Sequence, residues 1–282
     1  MAKERLTITL DKEVLKEVDA TIDGINVRNR SHAIEKLLKT ALMQKTPKKA
    51  IVLAGGVPVR FENKLIPKPM VLVDGKPIME YVLQALSKIG VNDVIVVAGE
   101  KAEEITGYFG NGSSLGLKIT YLVEEKRKGT EGALALAKGL AGSDPFFVIN
   151  GDNLYLFDLL EVYKQHINTQ ASVTIALTTA EKATGFGVTK LDGFKVVAFS
   201  EKPEETKNQL VSTGLYVFSS SVFDMLAQSE KPIMLEDSLF PKLAIIGKLY
   251  GYVISEGWIP LDSSNISGSI KAMSKYLHSK RF

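Results

Sequence analysis

The sequence predicts an α/β protein in which a mostly parallel sheet is flanked by helices and preceded by a small separate unit. Three observations predict it. From Ala50 onward, short apolar and β-branched runs alternate with helical stretches, the pattern of a parallel sheet covered on both faces. Before Ala50 the pattern differs: one run of period two precedes two amphipathic stretches. Between them, Lys45 to Lys49 with Thr46 and Pro47 is polar, basic and breaker-containing, a short linker. A chain of 282 residues leaves room for two domains. The expected division is 1–45, a linker at 46–49, and 50–282.

In order, Arg5-Leu-Thr-Ile-Thr-Leu10 alternates, Leu6, Ile8 and Leu10 facing one way and Arg5, Thr7 and Thr9 the other, as in a half-buried strand. Asp11 reads as an N-cap, and Val14, Leu15, Val18 and Ile22 share one helical face until Gly24 stops it. A second helix from Ser31 carries Ala33, Ile34, Leu37, Leu38 and Ala41 as its apolar stripe. So small a unit cannot bury a full core alone, which implies association with another chain. In the larger part, strands are expected at Ala50–Leu53, Asp93–Ala98, Lys118–Val123, Phe146–Asn150 and Ser172–Leu177. Helices are expected at Ile78–Ile89, Glu103–Tyr108 and Gly132–Leu140. Such a doubly covered sheet is Rossmann-like.

Apolar content of 45% and charge content of 24% are those of a chain that buries an ordinary core. The net charge of +3 implies no partner by itself, but it is unevenly placed. Residues 1–50 carry eight Lys and three Arg against seven Asp and Glu, and the remainder is about neutral. The absence of cysteine excludes disulfides and thiolate metal sites and fits a reducing compartment. With no long apolar run and no signal-like N-terminus, the expected location is the cytoplasm. His32, His166 and His278 lack metal-ligand spacing and read as surface or structural.

The stretch richest in chemistry runs from Leu53 through Gly55, Gly56 and Arg60 to Pro67-Lys68-Pro69. Glycines admit a ligand to the backbone and offer amides to phosphate oxygens, and Arg60 and Lys68 add charge-assisted bonds. Downstream, Asn150-Gly151-Asp152 follows a buried strand, where ligands bind in such sheets. Taken alone, it is equally good turn chemistry. These segments resemble the G-G-x-G-T-R, P-K-P and G-D signatures of sugar-phosphate nucleotidyltransferases. The resemblance runs from Ala50 to about Asp262. It implies transfer of a nucleotidyl group from a nucleoside triphosphate to a sugar 1-phosphate, with Arg60 and Lys68 on the phosphates and Mg2+ held by Asp152.

By the same resemblance, Trp258-Ile-Pro-Leu-Asp262 is similar to a W-x-P-M-D-T segment whose aspartate joins the metal, which places Asp262 beside Asp152. Glu201-Lys202-Pro203 matches E-K-P, so Glu201 would hold sugar hydroxyls and Lys202 the sugar phosphate, with the backbone of Gly187 and Gly214 close to the sugar. Gly129-Thr130-Glu-Gly132-Ala resembles the G-T-A-G-A that opens a helix near the base, and Glu124 occupies the position that reads the base edge. Leu235-Glu-Asp-Ser-Leu-Phe-Pro241 reads as packing. The N-terminal R-L-T-I-T-L and N-R-S-H-A-I are similar to ribbon-helix-helix DNA-binding proteins, over roughly residues 3 to 42. That resemblance implies a homodimer whose strands pair in the major groove of palindromic double-stranded DNA, Arg5, Thr7 and Thr9 facing bases and Ser31 a phosphate.

The pattern breaks at one place. Pro58 and Val59 stand where the family has glycine and threonine, and the stretch between Arg60 and Pro67 is shorter by two residues and lacks P-L-T. Proline removes an amide donor and valine a hydroxyl. The alternative reading is therefore a DNA-binding regulator whose larger domain senses a nucleotide without turnover.

Overall fold

The computed structural model describes residues 7–43, 46–181, 183–207, 209–227, 229 and 231–279. The chain divides into two compact units, Met1–Lys45 and Thr46–Phe282.

In the first unit, Asp11 caps α1 (Lys12–Ala20) by accepting the Glu13 amide at 2.8 Å. A turn follows in which one Asp23 oxygen accepts the amides of Ile25, Asn26 and Val27, holding that carboxyl down at about 2, the Val27 bond first. Arg30 opens α2 (Arg30–Met43) and grips Asp19 with two 2.7 Å bonds. Val18, Val27 and Ala33 form a small core, while Leu37 and Leu38 of the expected stripe are exposed. Residues 7–10 pair with no strand among the described residues, and Thr7, Ile8, Thr9 and Leu10 are all exposed. Arg5 and Leu6 lie outside the described residues. The helix begins one residue before the expected Ser31, and Asn29 takes the capping role by accepting the His32 amide at 3.0 Å.

Among the described residues of the second unit, nine strands form one sheet. In chain order they are β1 (Lys49–Ala54), β2 (Asp93–Ala98), β3 (Lys118–Val123), β4 (Phe146–Asn150), β5 (Val173–Thr179), β6 (Gly187–Asp192), β7 (Lys195–Glu201), β8 (Leu210–Phe218) and β9 (Leu249–Val253). Across the sheet the order is β5-β9-β7-β6-β8-β4-β1-β2-β3. Strands β4, β1, β2 and β3 run parallel, with Ala50 opposite both Val94 and Phe147. Alternation along them sends Ala50, Val52, Val94 and Val96 to one face, under α3 (Ile78–Lys88), α4 (Ala102–Phe109) and α7 (Leu159–Thr169). Ile51, Ile95 and Val148 go to the other face, under α5 (Gly129–Leu136), α6 (Lys138–Ala141) and α8 (Leu239–Ile245). The last helix, α9 (Ile266–Ser279), packs through Met273 into a separate apolar cluster. At about 1.5–3 kcal/mol per buried aliphatic side chain, these two layers dominate the stability of the unit.

The expectation of a mostly parallel sheet is corrected: the sheet is mixed. Strand β8 runs against β4, with Leu215 opposite Ile149, and also against β5; β6, β7 and β9 add further antiparallel pairings. The cause is local. Gly193-Phe194, with Gly193 at φ +57°, turns β6 directly into β7, and a hairpin leaves no crossover to make the strands parallel. The expected helix at Gly132–Leu140 is two short helices, and it starts earlier, at Gly129.

The stretch after the paired glycines is not a loop. Val59–Phe61 pairs with Lys64–Ile66 around Glu62 and Asn63, both at positive φ (45° and 64°), as a two-residue hairpin turn requires. Val59 is buried in the cluster that holds Val71, Ile78, Leu154, Leu261 and Met273. The valine that departs from the family pattern is thus a packing residue. His166 is also structural: it sits between the Thr174 and Ser219 hydroxyls at 3.0 Å each, and burial pushes its pKa down to about 4, so it is neutral at pH 7. Among the described residues no helix is long and apolar enough to cross a membrane.

Candidate active site

Parallel strands in one sheet deliver their C-terminal ends to one edge, and that edge opens here into a cleft of about 600 Å³, the size that encloses a nucleotide-sized ligand. One wall comes from the parallel half of the sheet: Leu53, Gly55 and Gly56 after β1, Glu124 after β3, and Asn150, Asp152 and Asn153 after β4, with Gly129 and Thr130 at the start of α5. The opposite wall comes from the antiparallel half: Gly187, Glu201, Lys202, Gly214 and Tyr216. The hairpin connections that upset the parallel expectation are what bring Glu201 and Gly214 to face Asp152. At Gly214 (φ +76°) a Cβ would lie 2.4 Å from the Asn150 amide nitrogen, so only glycine lets the two walls meet.

Asp152 sits at the cleft with Lys68, which the single helical turn Lys68–Met70 presents to it. Burial pushes the Asp152 carboxyl up, and the Lys68 ammonium opposes this. Gly151 does not line the cleft. Its amide bonds the Leu53 carbonyl at 2.9 Å, and Val52 and Pro69 leave a Cβ there only 3.2–3.3 Å of room, so it packs β4 onto the Pro67-Lys68-Pro69 turn. Across the cleft, Lys202 pairs with Glu201 at 3.3 Å and is held at φ +39°, a strained backbone for a lysine. Burial pushes the Glu201 carboxyl up, and the neighbouring Glu236 adds to that rise. Glu124 is raised by burial too, against a 3.3 Å bond from the Lys128 amide.

Besides Gly151, two further expected site residues stand outside the lining. Arg60 is exposed on the hairpin, opposite Leu65. Asp262 follows Leu261, which does line the cleft, but its own carboxylate is exposed and accepts the Ser264 amide (2.8 Å) and hydroxyl (2.6 Å), bonds that hold it below the usual carboxylate range. Among the described residues no three His, Asp or Glu side chains gather to cage a metal. A hard carboxylate at the cleft suits a magnesium ion that completes its shell with substrate phosphate oxygens, and Asp152 fits that use.

Other lining residues were not read as site residues from the sequence: Arg127, paired with Glu100 at 2.6 Å, and Tyr216, together with Asn150, Trp258 and Glu236, which lie in segments singled out for other reasons. Trp258 stacks edge-on against Phe186, and its indole N–H finds no acceptor among the described residues. Glu236 belongs to the segment read as packing. Leu239 and Phe240 of that segment do pack, but Glu236 turns into the cleft and accepts the Thr130 hydroxyl at 2.7 Å. Thr130, which also accepts the Leu235 amide at 2.8 Å, is therefore engaged by the protein itself.

The chain is similar to known proteins. The profile of the nucleotidyl transferase family matches residues 49–278. A D-glycero-alpha-D-manno-heptose 1-phosphate guanylyltransferase of Aneurinibacillus thermoaerophilus is 32% identical over 72% of this chain and 88% of its own length. A mannose-1-phosphate guanylyltransferase of Mycobacterium tuberculosis is 35% identical over 74% of this chain, which spans 59% of that protein. The crystal structure of HddC from Yersinia pseudotuberculosis has the same fold, with a TM-score of 0.66 at 24% identity, over 80% of this chain and 99% of that one.

Proposed function

Because the chain belongs to the nucleotidyl transferase family, we propose that it is a sugar-phosphate nucleotidyltransferase that joins a nucleoside triphosphate to a sugar 1-phosphate, releasing pyrophosphate. The observation that carries this reading is the pairing of Lys68 with Asp152 on one wall and Lys202 with Glu201 on the other. An oxygen of the sugar phosphate attacks the α-phosphorus, the bond to the β-phosphate oxygen breaks, and pyrophosphate leaves. Both reactants are anions, so the site must supply positive charge. Lys68 serves the triphosphate and Lys202 the sugar phosphate, while Glu201 accepts sugar hydroxyls beside the backbone of Gly187 and Gly214. Magnesium, when bound, supplies charge that the two lysines do not, and Asp152 would hold it. Asp262 would join only by turning away from Ser264, and Arg60 only by leaving its exposed position. Leu53, Gly55, Gly56 and Gly129 wall the nucleotide.

Glu124 selects the base. As a carboxylate it only accepts, which suits the N1–H and N2 donors of guanine or the N4 amine of cytosine, and the two relatives named as guanylyltransferases favour guanine. The test is pyrophosphate release with magnesium, each of the four triphosphates, and a panel of hexose and heptose 1-phosphates. GTP is expected to be preferred. No release above background with any pair sinks the enzyme; retained GTP binding without release leaves a sensor.

For the first unit, we infer a ribbon-helix-helix dimer that reads DNA. Ile8, Leu10, Val14, Leu37 and Leu38 are exposed in the single chain, and a second copy paired strand to strand would cover them. Thr7 and Thr9, with Arg5, would then face the groove, and the start of α2 around Ser31 a phosphate. Sedimentation at micromolar concentration is expected to show a dimer, and selection from a random duplex library at low salt to enrich a palindrome. Arg5→Ala is expected to weaken the selected site by about 1–3 kcal/mol, and random DNA less. A monomer, or a library with no enrichment, overturns this reading.

A further inference from the structure

The chain also lines the cleft between Pro232 and Glu236, and the described residues from Ala227 to Glu236 are hydrogen-bonded to the start of α5 at several points. The buried Glu131 carboxylate accepts the Ala227 amide. The Ile233 amide donates to the Lys128 carbonyl at 2.9 Å, and the Ile233 carbonyl accepts the Glu131 amide at 3.1 Å. The Leu235 amide donates to the Thr130 hydroxyl, which in turn donates to one oxygen of Glu236. The other oxygen of Glu236 accepts the Tyr216 hydroxyl of β8 at 3.2 Å. One carboxylate is thus held by two neutral hydroxyls, from the nucleotide wall and from the sugar wall. Among the described residues it makes no ion pair.

A carboxylate oxygen accepts more than one hydrogen bond, so each Glu236 oxygen keeps acceptor capacity after Thr130 and Tyr216 are satisfied. With no cation beside it, the group repels phosphate and draws neutral donors. Glu201 lines the same cleft, and its own rise owes part to Glu236, so the two negative charges feel each other. Hydroxyl donors relieve that repulsion without bringing in a further charge. We propose that Glu236 is a second sugar-recognising carboxylate, which with Glu201 clamps the hydroxyl-rich ring of the substrate and sets which sugar is accepted. Thr130 and Tyr216 are its positioning residues. The proposal rests on the sugar-nucleotide reading above and adds to it a residue and a substrate chemistry: a ring that presents hydroxyls on two sides, its phosphates directed away toward Lys68 and Lys202.

Isothermal titration of the full-length protein with GDP, GDP-mannose and GDP-glucose separates the two readings. The wild type is expected to bind at least one sugar nucleotide more tightly than GDP, and that ratio measures the sugar contacts. Glu236→Gln is expected to reduce the ratio tenfold or more while GDP affinity stays within twofold. The acid limb of the ratio should also move to lower pH, because Glu201 loses a negative neighbour; the ratio itself is the readout that a purely structural Glu236 would not move. Tyr216→Phe, which keeps the ring and removes one tether, is expected to reduce the ratio at least threefold, and it decides the matter if Glu236→Gln does not fold. Equal weakening of GDP and the sugar nucleotides, or no change in the ratio, overturns the clamp alone. A wild type that binds GDP but no sugar nucleotide more tightly overturns it as well. A wild type that binds none of the three ligands and releases pyrophosphate from none of the four triphosphates overturns the sugar-nucleotide reading and the clamp with it.

Discussion

Asp152→Asn is expected to lower the rate of pyrophosphate release by roughly a thousandfold, about 4 kcal/mol of transition-state stabilisation, while leaving the fold intact. The substitution keeps shape and removes the charge that would hold magnesium next to Lys68. Stability should not suffer. Burial disfavours the Asp152 carboxylate in the folded protein, so a neutral amide removes a cost, and the melting temperature should be unchanged or higher. The same burial sets a pH dependence. A carboxyl raised above its ordinary value of about 3.9 is protonated over more of the acid range, so metal-dependent activity should fall as pH drops through that raised value. Single-turnover rates, thermal melts and a pH profile check the three parts. A variant with wild-type turnover would remove Asp152 from the chemistry.

Gly129→Ala is expected to be the most damaging change that touches no charged group. Gly129 has φ +75°, where a side chain costs about 1–2 kcal/mol, and a Cβ would lie 2.2 Å from the Ile233 carbonyl oxygen and 2.6 Å from its carbon. Both are backbone atoms, so the strand of contacts from Ile233 to Glu236 has to move. Turnover should fall roughly a hundredfold, the scale of an ångström of misplacement at a site. Gly142→Ala is the matched control: its φ is +78° but nothing lies within 4 Å of the new Cβ, so it should show the backbone cost without the loss of activity. Equal effects from the two variants would mean that strain alone accounts for the first.

What the sequence made legible follows from the range of each signal. The four parallel strands and α3 and α4 are written in local apolar periodicity, and they appear within a residue or so of their expected ends. Lys68, Asp152, Glu201 and Gly214 lie in short motifs, and the structure gathers them into one cleft. The hairpin at Val59–Ile66 was also local, since Val-Arg-Phe-Glu-Asn-Lys-Leu-Ile alternates around two turn-forming residues, but the weight of a phosphate-loop pattern concealed it. Glu236 was not legible. Its neighbours Leu235, Leu239 and Phe240 are buried and mark the segment as core, and only the hydroxyls of Thr130 and Tyr216, each distant in sequence, turn it inward. Residues 7–10, expected as a strand, are exposed and have no strand partner among the described residues, so their alternation alone did not fix their structure.

The buried Val59 has a mechanical consequence. It shares an apolar cluster with Leu261 and Met273, and Phe61, Ile66 and Ile259 pack against the same cluster. The hairpin that carries Arg60 and the segment that carries Asp262 are therefore mounted on one chassis, with α9 as its backing plate. Close-packed side chains transmit displacement instead of absorbing it. The two outlying groups, one cationic and one anionic, are geared together: a shift of the hairpin toward the cleft carries the base of Asp262 along with it.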